Sequence, residues 1–484
     1  MQNNVENSSA KTVLILGTLE AFEGLVHTAM DRGMRTLVAD GYSDGVCRDI
    51  ASDHFDVSVF DPQSIAKLCK QQNVDAIVTG FSDLLFESAT KSSAIAGLPT
   101  TCNESQLEYL RDKSRMKEMF DACEIRYAKT KIISLTHDAT SAATPAAASA
   151  VHVKDTECEC ENVCEDLQFP CVMKPLDAYG SYGVTLVQNS AHVKQNIEKV
   201  CALSKSGNKA IIEEYMSGLE FNATTWICDG RVHLLSIASR EKSQEDAAKL
   251  PYVTRIVYPS VYTNLLHPTV TATAQKIVDF LGLDSGPLSL QFFWDPDKAC
   301  ESQGEDDCNS TTTIQQDITL CEVAGRVFGY EHRLLYHASG LKLENLLLDT
   351  AFDTQALRES LKNHDATKMN SKSCGLYFHV KDGEIANMET ARSLTRMPQV
   401  VESRLYYSDG DTVMNGKGGR PYVASYYIKA GSHNELDKIT SDIFKKFSVC
   451  DLQGNELSMQ NTIESAPTEA RNNDCENFDI NTNK

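Results

Sequence analysis

Long apolar runs are missing from this chain of 484 residues. Nothing in it approaches the roughly 18 uninterrupted apolar residues a membrane helix needs, so no membrane span is expected. Residues 1–10 are polar and lack an apolar centre. That argues against a secretory signal and makes the cytoplasm the expected compartment. Positive charge is scarce too: 46 Lys and Arg stand against 67 Asp and Glu, a formal net charge of −21. Such a chain repels phosphate backbones, and no basic stripe interleaved with aromatics offsets this, so nucleic acid is not an expected partner. A single anionic nucleotide is still allowed, because lysines, backbone amides and a divalent cation act at short range. Cysteine is not scarce, but most of the 16 sit singly inside apolar runs, as Cys69, Cys171, Cys228 and Cys321 do. Intracellular thiols of that kind are usually buried and unpaired. Cys158, Cys160 and Cys164 do cluster, with Cys171 a little further on. Their spacing matches none of the strong zinc patterns, and whether they bind metal stays open.

The length exceeds one compact core and calls for roughly two to four domains. Residues 11–105 alternate strand and helix: apolar runs at 13–16, 35–39 and 76–78, with helical spacing at 20–32 and 65–72. This rhythm predicts an α/β unit with a small parallel sheet. A strand ending at Gly17, with Asp40 further on, suggests a dinucleotide fold, but Gly17-Thr18-Leu19-Glu20 is not G-x-G-x-x-G, so the tight phosphate turn is absent. An excursion at about 136–165 is first Ala-, Ser- and Thr-rich and then acidic, and 301–316 and 364–373 are further low-complexity stretches. Residues 456–484 are polar and rich in Asn and Glu, the composition of a disordered tail. No internal repeat is present.

Three segments carry chemistry. Residues 169–187 (FPCVMKPLDAYGSYGVTLV) read as a buried strand delivering Lys174, a loop with Gly180, Ser181 and Gly183, and a second strand. Glycines let backbone N–H groups approach an anion, and a lysine entering such a loop is a point charge for phosphates; an ordinary hairpin would look the same. Residues 210–222 (AIIEEYMSGLEFN) read as a strand ending in Glu213 and Glu214, then Tyr215 and Met216, a Ser-Gly turn, and Glu220 opening the next strand. Backbone groups at such a transition can read an adenine edge, although the paired acids also fit a solvated strand end. Residues 286–295 (GPLSLQFFWD) and 317–326 (DITLCEVAGR) form two apolar strands parted only by a polar loop, so an antiparallel pair is expected. Gln291 and Glu322 are their lone oxygen-bearing long side chains. A buried carboxylate needs a partner or a metal, and oxygen ligands beside phosphates suit magnesium. A salt bridge from Glu322 to Arg326 is the competing explanation.

Taken in order, the lysine-bearing strand, Gly loop, E-E-Y strand end and E-x-x-x-R resemble the ATP-grasp superfamily, which includes biotin carboxylase, carbamoyl phosphate synthetase and bacterial L-amino-acid ligases. The resemblance implies a Rossmann-like unit at 11–108, an ATP-grasp domain of α+β character at 109–350 with insertions at about 136–165 and 301–316, and a small β-rich subdomain at 371–450. It implies that Lys113 and Lys174 bind phosphates, that Glu213, Glu214, Tyr215 and Met216 contact adenine, and that Glu220 contacts ribose. Gln291 and Glu322 would hold magnesium or manganese, and Arg326 would act on the transferred phosphate. Relatives often carry Asn where this chain has Ala324, which puts a second metal in doubt. Tyr330, His332 and His337 are open to either an acceptor site or helix packing. The implied activity is ATP-dependent joining of a small-molecule carboxylate to an amine through an acyl-phosphate, releasing ADP and phosphate. A homodimer is compatible with the resemblance. Carboxylase or thiol-ligase chemistry and a non-catalytic ATP sensor remain alternatives, and a nicotinamide-dependent oxidoreductase rests on the N-terminal rhythm alone. A biotinyl-type Met-Lys-Met tripeptide is absent.

Overall fold

The computed structural model describes residues 10–135, 150–153, 164–176, 183–204, 208–243, 250–296, 318–329, 331–415, 422–459 and 461–463. Most of the 136–165 excursion, all of 301–316 and most of the tail therefore lie outside the described residues, as do Cys158, Cys160, Gly180, Ser181 and Tyr330.

The chain opens with the parallel α/β unit its rhythm predicts. Strands β1 (Thr12–Leu16), β2 (Arg35–Asp40), β3 (Asp53–Asp56) and β4 (Ala76–Val78) lie in the order β3-β2-β1-β4. Every residue of β1 is buried, as a central parallel strand covered on both faces requires. Helices α1 (Glu23–Asp31), α2 (Pro62–Gln72) and α3 (Asp83–Ala96) flank it. Helix α2 starts where Asp61 accepts from the Ser64 N–H and Pro62 occupies the first turn. Helix α4 (Glu104–Arg111) follows, closed by a capping box between Asn103 and Gln106. Helix α5 (Lys113–Ala122) starts at once, its first N–H groups held by the Asp112 carboxylate.

A five-stranded sheet comes next, built from β5 (Thr130–Leu135), β6 (Ala150–Val153), β7 (Cys171–Pro175), β8 (Thr185–Val187) and β9 (Lys209–Glu214), in the order β6-β5-β9-β7-β8. Helix α6 (Ser190–Cys201) covers it, and Val193, Ile197 and Val200 pack with Met173, Val187 and Ile212. The largest sheet is antiparallel and eight-stranded. It contains β10 (Leu219–Cys228), β11 (Arg231–Lys242), β12 (Val253–Tyr258), β13 (Gly286–Trp294) and β14 (Ile318–Ala324). Helix α7 (Thr263–Leu281) lies on its apolar face, where Leu266, Val270 and Ile277 meet Phe221, Leu290 and Phe292. No helix among the described residues is long and apolar enough to cross a membrane.

In the C-terminal third, strands β15 (Lys372–Phe378), β17 (Val400–Leu405) and β19 (Ala424–Ala430) extend the large sheet, in the order β14-β13-β10-β11-β12-β15-β19-β17. Asp382-Gly383 and Asp409-Gly410 are not hairpin tips between neighbouring strands: β16 (Gly383–Glu384) pairs with β18 (Thr412–Val413) across an intervening helix and β17. The low-complexity stretch 364–373 is ordered, with Ala366 and Met369 buried. The start of the expected tail is ordered as well, because Leu457 is buried and Ser458 bridges to Val380.

The parallel unit docks on the rest of the chain at Gly325, between Glu322 and Arg326. A Cβ there would lie 2.6 Å from the Phe86 ring and 3.0 Å from Leu110. Both neighbours are buried and have little room to retreat. Gly325→Ala is therefore expected to destabilise the protein by about 1–3 kcal/mol through overpacking. An unchanged urea midpoint would show that the docking is looser than this geometry.

Candidate active site

Strand register sets the site. Asn222 on β10 stands opposite Gln291 on β13, and Gln291 opposite Glu322 on β14. Residues directly opposite share a face of the sheet, so these three form one polar row. One step along, Glu220 pairs with Arg240 on β11 and Phe293 on β13. The alternate residues Phe221, Leu290 and Phe292 point into the apolar core. Period-two alternation thus puts all the polar groups on one side.

Two buried carboxylates organise that side. Glu220 accepts from Arg240 Nε at 2.7 Å and from Gln291 Nε2 at 2.6 Å, and its other oxygen lies 3.0 Å from Lys242 Nζ. Glu331, the first residue of α8 (Glu331–Ser339), accepts from Asn222 Nδ2 at 2.7 Å, Arg240 Nη1 at 3.1 Å and the Tyr258 hydroxyl at 2.6 Å. Arg240 therefore bridges both acids. Burial pushes the Glu220 carboxyl up, but Arg240 and then Lys242 overcome it and hold the group below the usual carboxylate range. Burial and the neighbouring Glu331 carboxylate push the Tyr258 hydroxyl well above its ordinary value, so it stays a donor.

A second cluster sits on the smaller sheet. Glu213 on β9 is ion-paired to Lys174 on β7, and its other oxygen lies 3.2 Å from Lys117 Nζ. Burial opposes ionisation, yet Lys174 and then Lys117 bring Glu213 down to about 2. Lys113, one turn before Lys117 on α5, donates to the Leu176 carbonyl at 3.2 Å. Burial, followed by the charge of Lys174, lowers its pKa, while Glu322 and Glu213 act in the opposite direction.

Both clusters border a cavity of about 690 Å³. Lys174, Glu213, Glu214, Tyr215 and Met216 line it, together with Glu220, Arg240, Gln291, Cys321 and Glu331 and with the rings of Tyr252, Tyr377, His379 and Tyr422. The volume is that of a typical small-molecule site. For a divalent cation, Glu322 and the Gln291 amide oxygen are hard donors directly opposite each other. In the same row the Asn222 Oδ1 is buried and has no hydrogen-bond partner. This oxygen set fits one such ion, whereas Ala324 contributes no oxygen.

The structure brings Lys113, Lys174, Glu213 and Glu322 within electrostatic reach of one another and places Glu214, Tyr215, Met216, Glu220 and Gln291 on the same cavity. Gly183 closes the glycine loop at φ +75°, where a Cβ would lie 2.7 Å from Leu203. Two expectations change. The Glu213 carboxylate faces lysines instead of an adenine contact, because the alternation of β9 turns it to the side opposite Glu214, which accepts from the Gln168 N–H. The expected ribose acid Glu220 already accepts from three donors, so it also anchors Arg240, Gln291 and Lys242. Arg326 pairs with Asp83 and not with Glu322. Its guanidinium grips both oxygens of Asp83, at the start of α3, and lines a separate cavity of about 150 Å³ against the parallel unit. His332 stacks on Phe81 with ring centroids 4.0 Å apart, and His337 lies 2.8 Å from Glu402, so both serve packing. Among the described residues no group of three or more His, Cys, Asp and Glu is placed to hold a metal.

Sequence reading passed over Lys117, Asn222, Arg240, Lys242, Tyr258 and Glu331. Spacing offered a signal for some: Lys113 and Lys117 share a helix face at i, i+4, and Arg240 and Lys242 share a strand face. Glu331 offered none, since its partners lie 73 to 109 residues away.

Residues 167–300 match the ATP-grasp domain family. Among curated proteins, the formate-dependent phosphoribosylglycinamide formyltransferase of Sulfurisphaera tokodaii is 23% identical over 212 residues, which are 43% of this chain and 47% of that protein. That of Saccharolobus solfataricus is 22% identical over 282 residues, 56% of this chain and 64% of that protein. The chain thus spans about half the length of the curated relatives it matches first. Of solved structures, the L-amino acid ligase from Bacillus licheniformis superposes with a TM-score of 0.68 at 14% identity, covering 91% of this chain and 98% of that one. The N5-carboxyaminoimidazole synthase from Aspergillus clavatus, in complex with ADP and 5-aminoimidazole ribonucleotide, gives 0.64 at 16% identity, covering 90% and 98%. Residues 167–300 thus match an ATP-grasp domain, and the fold of the chain is that of these solved structures.

The Lys174–Glu213–Lys117 cluster makes a pH prediction. A carboxyl depressed by folding, here from 4.5 to about 2, contributes stability that is fully present above the unfolded value and lost as pH falls through the folded one. Glu213→Gln leaves two buried lysines without this counter-charge and is expected to cost about 3 kcal/mol. The stability difference between wild type and variant, measured by denaturant titration, should be flat from pH 7 to 5 and shrink only below the unfolded value. A difference that already falls between pH 7 and 6 would contradict the pairing.

Proposed function

We propose that this chain is an ATP-dependent ligase that activates a small-molecule carboxylate as an acyl-phosphate and passes it to an amine, releasing ADP and phosphate. One observation carries the reading: Lys113, Lys117 and Lys174 gather around Glu213 and near Glu322, which stands opposite Gln291, and Lys174, Glu213 and Gln291 line a cavity of about 690 Å³. Phosphoryl transfer depends mostly on positioning and charge neutralisation, and this arrangement supplies both. In this reading the backbone past β9, at Tyr215 and Met216, contacts adenine. Lys113 and Lys174 hold the phosphates, and Glu213 fixes the lysine geometry before a nucleotide arrives. Gln291 and Glu322 would hold magnesium or manganese, which when bound neutralises charge on the terminal phosphates. Arg240, anchored by Glu220 and Glu331, presents positive charge to the carboxylate beyond them. Arg326 is assigned to docking the parallel unit. Relatives named as phosphoribosylglycinamide formyltransferases and as an L-amino acid ligase support the reaction class.

Ala324 and the single cation site favour one second reading, an ATP-binding protein without turnover. One measurement separates the two. The ligase reading expects ADP release dependent on an acid–amine pair, with ADP and not AMP as the product. Lys174→Ala and Glu322→Ala should each lower turnover by about a hundredfold or more with unchanged circular dichroism. Nucleotide-dependent thermal stabilisation without ADP release across a broad panel of acids and amines would decide for the sensor. AMP as the main product would overturn the acyl-phosphate route.

A further inference from the structure

A second cavity, of about 520 Å³, opens at the carboxyl ends of all four parallel strands. Leu19 follows β1 on its wall, Tyr42 follows β2, Phe60 follows β3 and Phe81 follows β4. In the order β3-β2-β1-β4 the chain reverses direction of growth beside β1. That crevice is where open parallel sheets bind ligands. The turn after β1 is not built for a pyrophosphate: a Cβ on Gly17 would fall 2.5 Å from the Phe22 ring, so an aromatic ring fills the space over it. None of the described lining residues is Lys, Arg or His. The one charge is Asp40, which accepts from the Thr18 N–H and hydroxyl at 3.1 and 3.2 Å and from the Gly41 N–H at 2.7 Å. A phosphate would meet a carboxylate there and no cation. Tyr42 and Phe60 are 59% and 71% exposed on this wall, so core packing does not account for them. Gly329 borders both this cavity and the nucleotide-sized one.

We propose that this cavity seats the body of the amine acceptor, and that the acceptor is an apolar or aromatic amine carrying no phosphate. The proposal rests on the ligase reading. It separates this chain from relatives whose names specify phosphoribosyl substrates. At the junction beside Gly329 the amine nitrogen forms the new C–N bond with its lone pair. The acyl carbon releases inorganic phosphate with the electron pair of the broken C–O bond; the nitrogen gives one proton to solvent before attack, which frees its lone pair from the ammonium form, and a second to the departing phosphate. Aromatic walls recognise such a body by apolar burial and ring stacking, and Asp40 favours the ammonium form on arrival.

The test is calorimetric binding to the full chain with saturating MgADP, using 2-phenylethylamine and phosphoethanolamine as probes. The expected result is at least tenfold tighter binding of 2-phenylethylamine. In Tyr42→Ala/Phe60→Ala that binding should weaken at least tenfold with ADP affinity unchanged. Equal or tighter binding of phosphoethanolamine, no binding of 2-phenylethylamine, or an indifferent double variant would each overturn the proposal. ADP release supported only by phosphorylated amines would sink it and leave the ligase reading standing. Apolar-amine binding lost in the double variant, without ADP release from any acid–amine pair, would instead sink the ligase reading and the acceptor role with it.

Discussion

Arg240 is the constraint on which the rest of the site depends. It is partly buried between the buried carboxylates of Glu220 and Glu331, and an ion taken out of water costs several kcal/mol unless its partners are fixed in place. Glu220 comes from the neighbouring strand, whereas Glu331 begins a helix 91 residues away. Satisfying one guanidinium therefore fixes the β10–β11 register and the entry point of α8 together. Gln291 and Asn222 are drawn in as the remaining donors to the same two acids. Once they are held, the Asn222–Gln291–Glu322 row is aligned across three strands and the cavity floor has one shape. An apolar isostere in place of the ion pair could match its stability but would leave no charge facing the cavity.

The lysine cluster obeys the same logic on the other sheet. With a net charge of −21, long-range attraction does not bring a nucleotide to this protein, and binding depends on a local field. Lys113, Lys117 and Lys174 supply it. Three buried ammonium groups repel each other, and Glu213 offsets that repulsion at their centre. The cluster joins α5 to β7 and β9, so these charges ride on regular elements.

How much was legible beforehand followed the range of the interaction. Lys174, Glu213 and Glu322 lie on strongly apolar strands where one polar residue stands out, and the β13–β14 pair was readable because only a polar loop separates the runs. Strand β3 was not readable: Asp53, His54 and Asp56 give an edge strand no apolar pattern. The partner of Arg326 was unreadable for another reason. Glu322, four residues away, was the local choice, but Asp83, 243 residues distant, takes the guanidinium. Local spacing proposes partners, and the fold chooses among all of them. The C-terminal strands show the same limit, since alternation marks a strand without saying which sheet it joins.

The two large cavities differ in polarity, and the difference gives the site a direction. The first is lined by lysines, an arginine and acids as well as by Tyr252, Tyr377, His379 and Tyr422. The second has aromatic walls and one committed carboxylate. Charge-rich and apolar compartments do not exchange ligands readily, because each ligand would pay desolvation in the wrong one. Gly329 is the backbone they share, and it directly precedes the helix whose first residues bind Arg240 and stack on Phe81 through Glu331 and His332. The segment from Glu322 to His332 thus touches the cation row, the docking pair, the junction and the second cavity in turn. A single stretch of backbone thus runs from the charged compartment to the apolar one and borders both at Gly329.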